Sequence, residues 1–104
     1  MCQKIESSFV LIHQLKNRKS CTIKDLVHKK TLIEKKIPSV FVDVSKKSVL
    51  SSVNCFPEIF RWENNSIHRN ENSNDYFKEP LINYFNSNVE SSIKIEIENI
   101  LKFV

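Results

Sequence analysis

Residues 45–69 read SKKSVLSSVNCFPEIFRWENNSIHR, and the hydrophobic pattern of this stretch changes once, at Pro57. Before the proline, three apolar residues share one face of a helix: Val49, Leu50 and Val53. Ser45 precedes them in the position of a good N-cap. The residue before a proline avoids the α region, so the helix should end close to Pro57. The first part of the stretch therefore predicts a short, capped helix.

The residues after Pro57 predict a β-hairpin. Four bulky β-formers flank a polar centre: Ile59, Phe60, Trp62 and Ile67. A tight two-residue turn needs positive φ at both central positions, and glycine, its usual source, does not occur in this chain. Asparagine is the next-best residue for that conformation. The sequence therefore places Asn64 and Asn65 at the tip of the hairpin.

This turn fixes a register that gives the hairpin one apolar and one polar face. It pairs Trp62 with Ile67 and Phe60 with Arg69, so that Phe60, Trp62 and Ile67 lie together. The opposite face carries Arg61 and His68. Phe60 and Trp62 would serve as core residues, and the alternative is that they stack on nucleic-acid bases. A capped helix followed by an amphipathic hairpin predicts the second half of a winged helix-turn-helix, an α+β fold of three helices and a hairpin wing.

The N-terminal side of the chain supplies the first half of such a fold. Apolar residues at helical spacing predict a first helix between residues 4 and 16: Ile5, Phe9, Ile12 and Leu15. Residues 21–23 follow as a short extended step. Thr22, with Asp25 three positions later, predicts a capping box at the start of a second helix.

The connection before the third helix, residues 31–44, is left open by periodicity. Pro38 divides it, and residues 40–44 fit a strand as well as they fit packing residues. Either a short extra helix precedes Pro38 or the segment decorates the fold. The connection is long for one that joins the second and third helices of a winged helix.

The residues after the hairpin predict a linker and two further elements. Residues 70–74 are polar and rich in turn formers, which indicates a linker. Asp75 is predicted to cap a helix whose apolar positions are Phe77, Leu81, Ile82 and Phe85, with Pro80 tolerated only near its first turn. Residues 86–88 should end this helix. An extended-to-helical segment is predicted from residue 92 to residue 101.

The C-terminal segment aligns with the N-terminal segment at an offset of 70 residues. Val10-Leu11-Ile12 matches Pro80-Leu81-Ile82, and Thr22-Ile23-Lys24 matches Ser92-Ile93-Lys94. The alternative is that any two amphipathic helices, each followed by an Ile-Lys step, would align. We expect residues 1–70 to form a winged-helix domain and residues 71–104 to be the truncated helical start of a second, similar unit.

Composition is that of a soluble globular protein, with 40% apolar and 27% charged residues in 104. No apolar run approaches the roughly 18 residues of a membrane span, and the N-terminus lacks the layout of a signal peptide. We therefore expect a cytoplasmic protein without a membrane partner.

Residue types and spacings give no sign of an enzyme. The chain has no Gly-rich phosphate loop and no HExxH or GxSxG motif. Its three cysteines are far apart, and no histidine is spaced to join them in a metal site: Cys2, Cys21 and Cys55. Cys55 is predicted to be a small buried residue. We expect no catalytic residues, no metal, no cofactor and no small-molecule ligand.

Charge is unevenly distributed along the chain. Residues 1–50 carry 11 Lys+Arg against 4 Asp+Glu, a balance of +7, and residues 51–104 carry −3, which gives the total of +4. A basic surface for phosphates is predicted from ten cations: Lys16, Arg18, Lys19, Lys24, Lys29, Lys30, Lys35, Lys36, Lys46 and Lys47. The alternative is a solvated lysine face in a protein from an AT-rich genome.

Five residues are the candidates for nucleic-acid contact. Lys46 and Lys47 fall in the first turn of the third helix, the end that approaches a groove or backbone in helix-turn-helix proteins. The hairpin adds Arg61, His68 and Arg69. We expect contact with RNA mainly through its backbone. The alternatives are a protein-docking module for acidic segments and, ranked lower for lack of an arginine for guanine edges, a DNA-binding winged helix.

The order of these motifs resembles the N-terminal region of the Egalitarian family of RNA-localisation adaptors. The resemblance is carried by Thr22-Ile23-x-Asp25-Leu26, Ser45-x-x-x-x-Leu50, and Pro57-x-Ile59-Phe60-x-x-Glu63-Asn64-Asn65-x-Ile67. Asp75-Tyr76-Phe77-Lys78-Glu79 and Tyr84-Phe85-Asn86-Ser87 are similar to the start of that family's next repeat. The chain departs from the family pattern in having Val42-Asp43-Val44 and Asn64-Asn65 where glycines are usual.

The resemblance implies an RNA-binding protein that links localised transcripts to a Bicaudal-D and dynein transport complex. It also implies a 3′–5′ exonuclease-like domain further along a full-length chain. None of that domain's carboxylates falls on a residue of this sequence.

Overall fold

Short strands alternate with helices in this mixed α+β protein. The computed structural model describes residues 3–85 and 89–102. The elements are β1 (Gln3–Ile5), α1 (Ser7–Leu15), β2 (Ser20–Thr22), α2 (Ile23–Lys36), β3 (Val40–Val42), α3 (Lys46–Cys55), β4 (Phe60–Glu63), β5 (Ser66–Arg69), a 3-10 helix (Glu71–Phe77), α4 (Glu79–Phe85) and α5 (Ser91–Lys102).

The hairpin of β4 and β5 has the predicted turn and register. Asn64 and Asn65 have φ values of 53° and 58°, the two positive angles that a type I′ turn requires. Trp62 pairs with Ile67, as predicted. β2 adds to the other side of β5, so the antiparallel sheet has the order β2-β5-β4. The hairpin is thereby joined to the connection between the first two helices.

The two faces of the hairpin differ as predicted. Phe60 and Ile67 are buried, and Trp62 is half-buried against the same core. Arg61 lies exposed on the other face. Because Phe60 is 1% exposed, it has no ring face open for a base, and it is a core residue.

The second helix begins with the predicted capping box. The Asp25 N–H donates to Thr22 Oγ1 at 3.1 Å, and the Thr22 N–H donates to Asp25 Oδ2 at 3.1 Å. This second bond is the main reason that the pKa of Asp25 is lowered. The box satisfies two backbone donors that a helix start otherwise leaves without a partner.

The open segment 31–44 contains the end of α2 and the strand β3. No extra helix precedes Pro38, because α2 continues to Lys36. β3 pairs in parallel with β1, with Ile5 opposite Val42. The other edge of β3 is closed by α2, since the Val42 N–H donates to Glu34 Oε2 at 2.8 Å. The predicted start of the first helix at residue 4 is wrong, because Ile5 belongs to this strand pair.

The third helix is capped and ended as predicted. Ser45 accepts from the Ser48 N–H at 3.3 Å, and α3 ends at Cys55, two residues before Pro57. The prediction that Cys55 is buried is wrong. α3 turns Val49 and Val53 to the core, and a residue two positions after Val53 points outward.

Cys21, unlike Cys55, has a buried thiol. It lies in the middle of β2 and is 2% exposed. Burial is the main cause that raises the pKa of Cys21 to about 12, so its thiol stays protonated at neutral pH.

The segment after the hairpin differs most from the prediction. Residues 71–77 form a 3-10 helix where a linker was expected, and Asp75 lies inside that helix rather than at a cap. The Ser73 side chain is fully buried, which shows that tertiary packing holds this polar stretch. Pro80 lies in the first turn of α4, as predicted.

The last helix also begins earlier than expected. α5 is helical from Ser91 onward, so the extended start that was predicted for the segment 92–101 is wrong. The predicted helix break at residues 86–88 lies outside the described residues.

Both parts of the chain contribute to one hydrophobic core. α4 and α5 pack against α1, and α5 also packs against α2. Residues from the second part join the same cluster as the helices and hairpin: Phe77, Ile82, Ile97, Ile100 and Leu101. The division into units 1–70 and 71–104 stays a prediction. None of the described helices is both long and apolar enough to cross a membrane.

Candidate nucleic-acid interface

Two groups of predicted contact residues occupy different places on the surface. Lys46 and Lys47 are exposed in the first turn of α3, where the sequence places them. The free N–H groups of a helix start carry partial positive charge, and the two ammonium groups add to it. This end of α3 is suited to an anionic group.

Asp43 contacts three side chains around the start of α3. The Ser48 hydroxyl donates to Asp43 Oδ2 at 2.7 Å, and the Ser45 hydroxyl donates to Oδ1 at 3.2 Å. Lys4 Nζ lies 3.7 Å from Oδ2. The Ser48 bond first, and then Ser45 and Lys4, lower the pKa of Asp43. The ionised carboxylate stabilises the start of α3 and offsets part of the positive charge there.

A cavity of about 570 Å³ lies beside the first turn of α3. Its lining includes Lys47 and three serines of α3, at positions 48, 51 and 52, which face Lys4 and the start of α1. Ser7 of α1 donates to the Ser48 carbonyl at 3.0 Å and so joins the two helices. Most of the lining residues are polar, and the two lysines are balanced by two acidic residues, Glu6 and Asp43.

Arg61 and His68 form a cross-strand pair of the hairpin, in which Arg61 is exposed and His68 is half-buried. Arg61 is held at two of its nitrogens: Nε donates to Glu63 Oε2 at 3.0 Å, and Nη1 donates to Asn70 Oδ1 at 3.2 Å. His68 Nε2 lies 3.2 Å from the Glu63 carbonyl oxygen. The two side chains present nitrogen donors on the polar face that the register predicts.

Arg69 is placed differently from Arg61. Its Nη1 donates to the carbonyl oxygens of Leu15 and Lys16, at 3.2 Å each, which are the last carbonyls of α1. Its guanidinium lies 5.1 Å from the centre of the Phe77 ring. Arg69 therefore caps α1 and fastens the 3-10 helix, a structural role that the sequence reasoning missed. The predicted register does indicate this role. Arg69 pairs with Phe60, so its side chain leaves the strand on the apolar face of the hairpin.

The base of the hairpin forms a second cavity, of about 220 Å³. It brings together the three predicted hairpin residues and adds Lys19: the lining is Lys19, Arg61, His68, Arg69, Asn70 and Glu71. Lys19 reaches this place because the Arg69 N–H donates to its carbonyl oxygen at 2.9 Å. We call this the hairpin-base cavity. It shares no described lining residue with the cavity beside α3, so Lys46 and Lys47 lie apart from it.

The predicted basic surface of ten cations is interrupted. Lys29 is 1% exposed, so its assignment to that surface is wrong, and its Nζ has no hydrogen-bond partner within residues 3–85 and 89–102. Burial, and then the charge of Arg18, lower the pKa of Lys29. Lys30 donates to Glu34 Oε2 at 2.5 Å and to the Val42 carbonyl at 2.8 Å. These two lysines serve the fold.

The described part of the chain holds no group of three or more His, Cys, Asp or Glu side chains that would bind a metal ion. Basic side chains at the hairpin base and at the start of α3 are the candidate functional residues. No protein-family model, no curated protein and no solved structure matches the chain.

Proposed function

We propose that this chain is a winged helix that binds RNA through the phosphate backbone. The order of α1, β2, α2, α3, β4 and β5, with the sheet order β2-β5-β4, supports the fold. The hairpin-base cavity is the observation that carries the function. Cationic side chains from two distant segments, Lys19 on one and Arg61 and Arg69 on the other, meet there with His68.

Backbone contact accounts for the chemistry of these side chains. Lysine and arginine bind phosphates without regard to base sequence. α3 offers serines at 48, 51 and 52 and has no arginine that would read guanine in a major groove. The DNA-binding reading is weaker for that reason. The cations account for contact with a phosphate backbone, and RNA is the partner that we propose for it.

The wider role rests on the resemblance to the Egalitarian family. In that reading the chain is an adaptor segment that contributes to mRNA localisation in the cytoplasm. Its protein partners would belong to a Bicaudal-D and dynein transport complex. It would have no catalytic activity, no cofactor, no small-molecule ligand and no membrane partner.

A protein-docking module is the second candidate function, and the cavity beside α3 favours it. Its volume of about 570 Å³ falls within the roughly 300–1,000 Å³ typical of ligand pockets. Lys4 and Lys47 border its serines and would bind the carboxylates of an acidic peptide segment, in competition with Glu6 and Asp43 of the same lining. In this reading the lysines bind carboxylates rather than phosphates.

Salt dependence of binding separates these functions. Isothermal titration calorimetry would measure the affinity for a structured RNA, a duplex DNA of equal length and an acidic peptide, at several salt concentrations. The RNA-binding function predicts a steep salt slope and the tightest binding for RNA. Tight binding of the peptide without binding of RNA would favour the docking module and contradict the proposal.

A charge-removal variant tests the residues. Lys46→Gln/Lys47→Gln/Arg61→Gln should weaken RNA binding by about 10- to 100-fold, with a salt slope smaller by up to about 2. The matched control is Lys24→Gln/Lys35→Gln/Lys36→Gln, which removes three exposed charges from α2. RNA binding by the first variant that equals wild type, or that equals the control, would contradict the assignment.

A further inference from the structure

The hairpin-base cavity has room for one small anionic group. We propose that it takes a terminal phosphate of the bound RNA, a phosphate monoester, in preference to an internal phosphodiester. This inference rests on the proposed RNA-binding function and names the part of the RNA that the cavity recognises.

The volume of the cavity favours a single phosphate. About 220 Å³ is below the roughly 300–1,000 Å³ of pockets that enclose drug-sized ligands. An internal phosphate is linked to two sugars, which both have to leave the cavity. A terminal phosphate is linked to one.

The charge of the lining favours a monoester. Lys19, Arg61 and Arg69 are cationic, and Glu71 is the acidic residue among the lining side chains. A phosphate monoester carries about −1.5 to −2 at pH 7, and a phosphodiester carries one negative charge. Glu63 shares the charge of Arg61, but this ion pair is about half exposed and is weak in water. A lining with an excess of two positive charges matches the monoester better.

Arg61 is positioned before any anion arrives. Its Nε is held by Glu63 and its Nη1 by Asn70. Asn70 is itself fixed, because its Nδ2 donates to the Pro57 carbonyl at 2.7 Å. A side chain held in place loses less entropy on binding. We assign Arg61 and Lys19 as the residues that contact the phosphate.

Arg69 is a positioning residue in this cavity. Its Nη1 is bonded to the carbonyls at the end of α1, and its backbone N–H holds Lys19. Arg69 therefore fixes the backbone position of Lys19, and its guanidinium adds positive charge to the lining of the cavity.

The experiment compares three RNAs of one unstructured sequence, which end in a 5′-phosphate, a 3′-phosphate or hydroxyl groups alone. Calorimetry at constant ionic strength would measure their affinities for the full chain. We expect at least one phosphorylated RNA to bind about tenfold more tightly than the hydroxyl-ended RNA. Arg61→Gln and Lys19→Gln should each abolish that preference while the variants stay folded.

The matched control is Lys46→Gln/Lys47→Gln, which should weaken all three RNAs by a similar factor and keep the preference. Equal affinities of the three RNAs for wild type would overturn the inference and leave the proposed function standing. A phosphoserine peptide that binds more tightly than every RNA would overturn the assignment of the cavity to RNA.

The two proposals fail in different ways. If no RNA binds at all, the proposed function is wrong, and so is the assignment of the cavity to RNA. Titration with inorganic phosphate, followed by NMR of the backbone amides, then tests the cavity by itself. Shifts at Lys19 and Asn70 that Arg61→Gln removes would support an anion site, and their absence would overturn it.

Discussion

The hairpin at residues 60–69 and the segment at residues 71–102 are adjacent in sequence, but their structures have different origins. The hairpin is determined by its own residues, because Asn64 and Asn65 take the two positive φ angles that set its register. The later segment is determined by what it packs against. Ser73 is a polar residue in a stretch that reads as a linker, yet its side chain is fully buried.

This difference shows where local chemistry suffices and where it does not. A turn needs particular residues at particular positions, so its sequence can be read directly. No comparable residue pattern specifies the short 3-10 helix over residues 71–77. This helix is held by the contact of the Phe77 ring with Arg69 and by the shared core. The predictions below test how strongly the later segment is tied to the first part of the chain.

The largest effect is expected for Ile97→Ala in α5. Ile97 is 0% exposed within the core shared with α1 and α2. The substitution should lower the free energy of unfolding by about 2–5 kcal/mol. Urea denaturation followed by circular dichroism measures it.

The control is Ile95→Ala on the outer face of α5, where the side chain is 60% exposed and the change should stay within about 0.5 kcal/mol.

A shared core also predicts that Ile97→Ala lowers the stability of the whole chain in one transition. Two transitions, with the larger one unchanged, would show instead that residues 71–104 fold separately.

The next effect is expected at Arg69. Arg69→Gln removes the bonds to the Leu15 and Lys16 carbonyls and the contact with Phe77, and should cost about 1–3 kcal/mol. Arg61→Gln is the matched change on the exposed face and should cost less than about 1 kcal/mol. Thermal unfolding of both variants decides the point. Equal losses would contradict the division of the two arginines into one structural residue and one contact residue.

A gain in stability is expected for Lys29→Met. A buried ammonium group that lacks a partner among the described residues is costly, and methionine has a similar length without the charge. The variant should be more stable by about 1–2 kcal/mol at pH 7. Lys24→Met, exposed on the same helix, is the control and should change stability by less than about 0.5 kcal/mol.

The lowered pKa of Lys29 gives this prediction a pH dependence. Between the lowered folded pKa and the unfolded value of about 10.4, the unfolded chain binds more protons, so wild-type stability should rise with pH. The advantage of Lys29→Met should therefore shrink as the pH is raised from 7 towards 10. An advantage that grows with pH would show that the amine is not destabilising in the fold.

The smallest effect is expected for Asn65→Gly at the tip of the hairpin. Glycine adopts positive φ at no steric cost, and Asn-Gly is the preferred pair for a type I′ turn. The variant should be more stable by about 0.5 kcal/mol. Asn54→Gly, inside α3, should instead lose a few tenths of a kcal/mol. Loss of stability in both variants would contradict the predicted role of the turn.

The parts of the fold that could be predicted from sequence are those with short-range chemistry. The caps at Ser45 and Thr22 and the hairpin turn each depend on residues within four positions. Ile5 fits the helical period of the residues that follow it, but it pairs with Val42, which lies far along the chain. Periodicity along one segment carries no information about such a pairing.

The same limit applies to the candidate site. Arg61, His68 and Arg69 could be predicted from the hairpin register, but Lys19 joins them only through the pairing of β2 with β5. The burial of Lys29 was missed because lysine is normally a surface residue. Its spacing from Leu26 and Ile33 places it on the core face of α2. The position on the helix, rather than the residue type, therefore determines its burial.

The position of Trp62 has a practical consequence. It is the one tryptophan of the chain and lies half-buried in β4, two residues from the turn. Its fluorescence therefore reports on the hairpin without any added dye. A change in its emission on mixing with a ligand would locate the event in this part of the molecule, whichever ligand caused it.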